Sequence, residues 1–205
     1  VAIRAVNITT CLQVHSPHLT AQERKAIHTL LGYHALFIEN CWEASDKPNN
    51  HYLADLLGYF VLCCNIDIKK YYRNKFAAWQ WFLDGLKTQL LPDGTQYEGS
   101  TAYHRLVTEM VDIALACAQK HNLPIPPALL TTQQQMHQFL ADCTDADGNV
   151  VLIGDNDSGR FFKLCPLADL DHRATVGAIN GLFDRSDFAD FAGTETFFEV
   201  SVVKA

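Results

Sequence analysis

Thr20-Ala21-Gln22-Glu23 opens the stretch that decides the fold. It has the form of a capping box, in which the Thr20 hydroxyl takes the Glu23 amide and the Glu23 carboxylate reaches back to the Thr20 amide. Behind it, apolar residues fall at Ile27, Leu30, Leu31, Ala35, Ile38 and Trp42. That spacing is one face of a helix. Pro48-Asn49-Asn50 then breaks the chain and offers caps for a second helix, striped by Leu53, Leu56, Leu57, Phe60 and Cys64. A third helix is expected from about Asp67, with Tyr72, Phe76, Trp79, Leu83, Leu86 and Leu90 alternating by four and three, until Pro92-Asp93-Gly94 turns the chain.

Further along, Ser100 or Thr101 caps a fourth helix carrying Leu106, Val107, Met110, Ala114 and Cys117. The prolines at 124, 126 and 127 end it and start a fifth, with Leu129, Leu130, Met136 and Leu140. The pattern then changes. Asp147-Gly148 reads as a turn, Val150 to Ile153 as a short strand, Gly154 to Gly159 as a polar loop and Phe161-Phe162 as the return strand. A last helix is expected over Ala168 to Leu182, and the tail Phe197 to Val203 alternates like a strand. A helix about every 20 to 30 residues, joined by short turns, predicts stacked antiparallel helical hairpins, so the fold class is mainly all-α.

The chain of 205 residues fits one domain, or one and a fragment. A hydrophobic fraction of 48% is enough for a packed core. Sixteen Lys and Arg against 23 Asp and Glu leave a net charge of −7, the wrong sign for a nucleic-acid binder. No apolar run approaches the ~20 residues of a membrane span. The chain begins at Val1 with no basic-then-apolar leader. Seven cysteines, with Cys63-Cys64 adjacent and no CxxC, argue against a disulfide framework and are compatible with a reducing compartment. His15-Ser16-Pro17-His18 lacks cysteine partners at zinc-finger spacing, and Asp145-Ala146-Asp147-Gly148 lacks the later ligands of a calcium loop. No metal and no cofactor is expected.

Two groups of polar residues gather where helices should start. Asn50 and His51 stand at a helix N-terminus, where free amides and a partial positive charge suit a carboxylate or phosphate; on spacing alone plain capping is the favoured reading. Gln96-Tyr97-Glu98-Gly99-Ser100-Thr101-Ala102-Tyr103-His104-Arg105 is the second group. Tyr103 falls in the first helical turn beside His104 and Arg105. The helix end and the cations predict a phenol pKa below the ordinary value of about 10, and such a Tyr can exchange protons with a substrate. On the other reading Tyr103 merely extends the core stripe and Arg105 is solvated. Gln96 and Glu98 could bond a polar ligand or the turn's own amides. Of the tryptophans at 42, 79 and 81, Trp79 lies on a core stripe, whereas Trp81 lies off it and is the better platform for a stacked ring.

Pro48-Asn49-Asn50-His51-Tyr52-Leu53, Leu91-Pro92-Asp93-Gly94, the block from Gln96 to Arg105, and Ile153-Gly154-Asp155-Asn156-Asp157-Ser158-Gly159-Arg160 together resemble the heparinase II/III and alginate lyase group of polysaccharide lyases. The four blocks occur in that family's order over roughly residues 20 to 185. The resemblance implies an incomplete α/α toroid over residues 1–190, with 191–205 as a linker or the start of a β-sandwich domain. It implies β-elimination on a uronate-containing glycan: Asn50 and His51 neutralise the carboxylate, and Tyr103 protonates the leaving oxygen and in some members also acts as the base. Gln96, Glu98, His104, Arg105 and Trp81 would contact the acidic polysaccharide. Some members take their base from the β-sandwich domain; without it His104 is the nearest stand-in, although adjacent helical residues point about 100° apart, and a piece lacking that domain is expected to be inactive alone. The family is usually bacterial and often exported, while the cysteine usage allows a cytoplasmic place. The net charge favours a lightly charged polymer, alginate-like or capsular, over a densely sulfated one.

Two other classes stay open. An α/α glycoside hydrolase would use two carboxylates among Asp93, Glu98, Asp155 and Asp157. A non-catalytic glycan-binding module would keep the fold without turnover. In the loop from Asp155 to Arg160, an Asx-rich turn with an internal ion pair is the structural alternative to a site.

Overall fold

A computed structural model describes residues 1–66, 74–145, 147–162, 168–186 and 188. Among these are seven α-helices, one short 3-10 turn at Ser16–His18, and no sheet. None of the described helices is long and apolar enough to cross a membrane. The chain divides into two compact units. The first holds Val1–Thr88 with Lys120–Leu123, and the second holds Gln89–Gln119 with the described residues from Pro124 on.

The first unit contains α1 (Ala2–His15), α2 (Ala21–Asn40), α3 (Asn50–Asn65) and α4 (Lys75–Lys87). The Thr20 box forms as the sequence requires: Glu23 N donates to Thr20 Oγ1 at 3.2 Å, and Thr20 N donates to Glu23 Oε2 at 2.7 Å. Helix α1, which no motif announced, buries Ala2, Ala5, Val6, Thr9 and Leu12 along one face. Thr9 is satisfied there by its own helix, donating to Ala5 O at 2.8 Å. Helix α3 is buried continuously from Leu53 to Leu62, as expected of a helix apolar on nearly all sides and packed against α1, α2 and α4. Its approach to α1 depends on Gly58, where a Cβ would stand 2.8 Å from Ala2 Cβ and 2.9 Å from Ala2 Cα. Trp79, Phe82, Leu83 and Leu86 of α4 are core. The start expected near Asp67 is corrected: the helix begins at Lys75, where extended Asn74 caps it by accepting the Phe76 amide at 2.9 Å, and residues 67–73, Tyr72 among them, lie outside the described residues.

The second unit contains α5 (Thr101–Lys120), nearly all of which belongs to it, α6 (Pro127–Asp142) and α7 (Arg173–Phe183). Pro92-Asp93-Gly94 turns as read: Gly94 N donates to Leu91 O at 2.9 Å, with Gly94 at φ +86°. The Leu106, Val107, Met110 and Ala114 stripe is buried. Helices α6 and α7 share a small core of Leu140, Val176, Ile179 and Phe188.

Two readings of the second unit are corrected. The hairpin expected over 150–162 does not form. Val150 N donates to Leu170 O, Val151 N to Cys143 O and Ile153 N to Thr101 Oγ1, so the extended run bonds three separate segments and has no partner strand. Phe161 and Phe162 are buried side chains rather than a return strand, and Phe161 N donates to Glu109 Oε2 at 2.7 Å. The last helix starts at Arg173 rather than near Ala168. Arg160 Nη2 donates to the Ala168 and Asp171 carbonyls at 3.0 and 2.6 Å, which holds the preceding segment out of helical form. The expected tail strand and the 191–205 segment lie outside the described residues. The six described cysteines are free thiols.

Candidate functional site

In the second unit, two of the blocks singled out in the sequence meet at the N-terminus of α5. Ser100 Oγ accepts the Tyr103 amide at 3.1 Å, which makes Ser100 the cap, and it donates to Asp155 O at 2.6 Å. Thr101 N donates to Ile153 O at 3.0 Å, and Ile153 N returns a bond to Thr101 Oγ1 at 3.2 Å. The loop is thus pinned to the helix end by backbone. Gly154 makes the approach possible: its φ is +68°, and a Cβ there would lie 2.7 Å from Gly99 O and 3.0 Å from Ser100 Cα.

Tyr103 is half-buried at this junction, and among the described residues its hydroxyl makes no hydrogen bond. Its pKa moves up, against the lowering expected from the helix end and the neighbouring cations. Burial raises it first, and the carboxylates of Asp157, Asp155 and Glu98 raise it further. The cations do not act as expected because both side chains beside Tyr103 turn inward. Arg105 is completely buried, with Nη2 bonded to Gly159 O and Nε 3.3 Å from Glu109 Oε1. It is therefore neither solvated nor open to a glycan. His104 is buried with both ring nitrogens engaged: Nδ1 accepts the Gln96 amide at 3.1 Å, and Nε2 donates to Met136 O at 3.0 Å. Burial brings its pKa down to about 4, so it is a neutral brace between the turn and α6. This replaces its reading as a substrate contact or stand-in base.

Gln96 is buried and clasps Glu98, donating to Glu98 Oε1 at 2.6 Å and accepting the Glu98 amide at 2.9 Å. Glu98 is half-buried, and Asp155 and Asp157 are exposed. The loop contains the expected Asx turns, Asn156 Oδ1 accepting Ser158 N and Asp157 Oδ1 accepting Gly159 N. Arg160 bonds backbone carbonyls instead of pairing with Asp155 or Asp157. Asp93 serves its turn, holding the Thr95 hydroxyl and amide; these bonds keep its carboxyl below the usual range.

In the first unit, Asn49 rather than Asn50 caps α3, its Oδ1 accepting His51 N at 3.1 Å and Tyr52 N at 3.4 Å. Asn50 is buried as the first helical residue. His51 is exposed, and its Nδ1 lies 2.8 Å from Glu43 Oε2. Asp55, one turn deeper, accepts the Glu43 amide at 2.9 Å, and burial raises its pKa. Beside this helix start is a groove of about 530 Å³ lined by Trp42, Pro48, Tyr52, Leu56, Trp81 and Asp84 among others. Trp81 is 44% exposed, as its off-stripe position predicts. It stacks on Tyr59 at 5.9 Å and meets Trp42 edge-on at 6.4 Å.

The structure therefore groups Gln96, Glu98, Tyr103, His104 and Arg105 in the second unit, and Asn50, His51 and Trp81 in the first. Trp42, read from sequence as the last residue of the α2 stripe, lies beyond the helix end at Asn40 and packs beside Trp81; the sequence reading gave Tyr52 no role there. It also missed the buried Arg105–Glu109–Thr175 set, in which Thr175 Oγ1 donates to Glu109 Oε1 at 2.9 Å. The four-residue step from Arg105 to Glu109 was a visible signal for it. Compared with known protein families, curated proteins and solved structures, the chain finds no match.

Proposed function

We propose that this chain carries the catalytic helical domain of a polysaccharide lyase of the heparinase II/III type, built as part of an α/α toroid and cleaving a uronate-containing glycan by β-elimination. The observation that carries the reading is the junction at the start of α5, where the 96–105 and 153–160 blocks meet beside a half-buried phenol whose hydroxyl makes no hydrogen bond among the described residues. A phenol held above its ordinary pKa keeps its proton through neutral pH, so Tyr103 serves as the acid rather than the base. In the reaction a base removes the C5 proton α to the carboxylate, the C4–O4 bond breaks, and Tyr103 delivers its proton to O4. A C4=C5 double bond remains in the product. The resemblance assigns Asn50 and His51 to the substrate carboxylate, whose charge must be stabilised as the enolate-like state develops. The base is not among the residues assigned.

The test is to incubate the protein with alginate-like and capsular uronate polymers and follow the ultraviolet absorbance of the unsaturated product. Tyr103→Phe should abolish that signal while leaving the fold intact. Absence of the band on every uronate polymer, with folded full-length protein, refutes the proposal.

One observation favours a second reading. Glu98, Asp155 and Asp157 all bear electrostatically on Tyr103, so carboxylates gather where a glycoside hydrolase would place its acid and base. That reading gives new reducing ends without a double bond, and Glu98→Gln, not Tyr103→Phe, is then the damaging change.

A further inference from the structure

We infer that the groove formed by Trp42, Tyr52 and Trp81 is a sugar subsite that takes an uncharged pyranose ring face-on against Trp81. This deepens the glycan reading and depends on it for the class of ligand.

The wall is aromatic and fixed in place. Trp81 is backed by Tyr59 at 5.9 Å and 20° between planes, and the Tyr59 hydroxyl is itself tied to Glu39 Oε1 at 2.7 Å. Trp42 meets Trp81 at 86°, and Tyr52 flanks Trp42 at 6.3 Å, so two nearly perpendicular indoles make a corner. A surface indole held this way presents a broad apolar face with little rotamer freedom left to lose on binding. Its volume of about 530 Å³ lies within the range of small-ligand sites, about 300–1,000 Å³.

Beside the Tyr52 hydroxyl and the two indole N–H groups, acceptors line the groove at Asp84 of α4 and at Thr88 just past its end. Thr88 Oγ1 donates to Gly85 O at 2.7 Å, which leaves its lone pairs to accept from a ligand. Asp84 Oδ1 takes Lys87 Nζ and Gln80 Nε2, both at 3.0 Å, and its carboxylate is a further acceptor. An apolar wall edged by acceptors complements a pyranose, whose C–H face is apolar and whose edge carries hydroxyl donors. A uronate would set a second carboxylate beside the exposed Asp84–Lys87 pair, of which Asp84 is the member that lines the groove. The polymer implied is one in which neutral residues accompany the uronate.

The experiment is binding of defined disaccharides to the full chain, read by tryptophan fluorescence and by saturation transfer from protein to sugar protons. Cellobiose and N,N′-diacetylchitobiose are the neutral probes, and digalacturonate is the charged one. At least one neutral probe should bind, with digalacturonate about fivefold weaker or more. Trp81→Ala should weaken the neutral probe about tenfold or more, Trp81→Phe should retain part of the affinity, and Tyr33→Ala, exposed elsewhere on α2, should change nothing. Asp84→Asn should narrow the gap between neutral and charged probes, an outcome that does not depend on how Trp81→Ala folds. No binding of either neutral probe, or equal binding of digalacturonate, overturns the inference. Lyase turnover without neutral-probe binding removes this subsite and keeps the lyase; binding without turnover does the reverse.

Discussion

Gly154→Ala tests the junction at the start of α5 more sharply than any change of a polar side chain. The new methyl would meet backbone on the facing segment, 2.7 Å from Gly99 O and 3.0 Å from Ser100 Cα, and neither atom can swing aside. The backbone at φ +68° also costs an alanine about 1–2 kcal/mol. Relieving the clash lifts the loop and breaks the Ser100–Asp155 and Thr101–Ile153 bonds, at about 0.5–1.5 kcal/mol each. The sum is about 2–5 kcal/mol, where a chain of this size shifts its melting temperature by about 2–4 °C for each kcal/mol. Gly99→Ala is the matched control. Gly99 has φ +73° and nothing within 4 Å of the missing Cβ, so it carries only the conformational cost. Urea and thermal denaturation of both variants against the parent separate the two contributions. Gly154→Ala should be the less stable by about 1–3 kcal/mol, the part due to the lost bonds. Equal destabilisation by the two substitutions would refute the close approach of loop and helix, and with it the grouping of the two sequence blocks.

Three further outcomes follow from the packing. Gly58→Ala should cost about 1–3 kcal/mol by overpacking against Ala2, and Ala2→Gly in the same chain should recover part of the loss in urea midpoints. Arg105→Met removes the cation beside the largely buried Glu109 carboxylate and should cost about 3–5 kcal/mol; an unchanged midpoint would show that Glu109 is not held as an ion. His104 is neutral in the fold with its pKa lowered to about 4, so the unfolded chain binds the extra proton first as pH falls. Stability should therefore decline from about pH 6.5 towards pH 4, and a His104→Gln variant should show a shallower decline between pH 7 and pH 5.

What was legible in the sequence was what local chemistry dictates. The Thr20–Glu23 box, a cap within Asn49-Asn50, the Pro92-Asp93-Gly94 turn and the stripes of α3 and α5 each depend on contacts within a few residues, and each appears. Trp79 inside and Trp81 outside follow from the same periodicity. The failures occur where distant chain decides. Val150 to Ile153 has the composition of a strand, yet its amides find three different segments, so no ladder forms. The Tyr103 pKa was read from nearest neighbours in sequence, but His104 and Arg105 face inward, while Asp155 and Asp157 arrive from some fifty residues away. Helix α1 carries small residues and a buried Thr9, a face too weak in apolar signal to stand out before Gly58 shows what it packs against.

His51 already holds a carboxylate, since Glu43 sits 2.8 Å from its ring in the open. Any acidic ligand arriving there would enter by exchange, evicting one anion to seat another. The net gain at that spot is then the difference between two like contacts to one imidazole. Selection at His51 would follow the shape of the newcomer and the donors it finds around it, and bare charge would count for little.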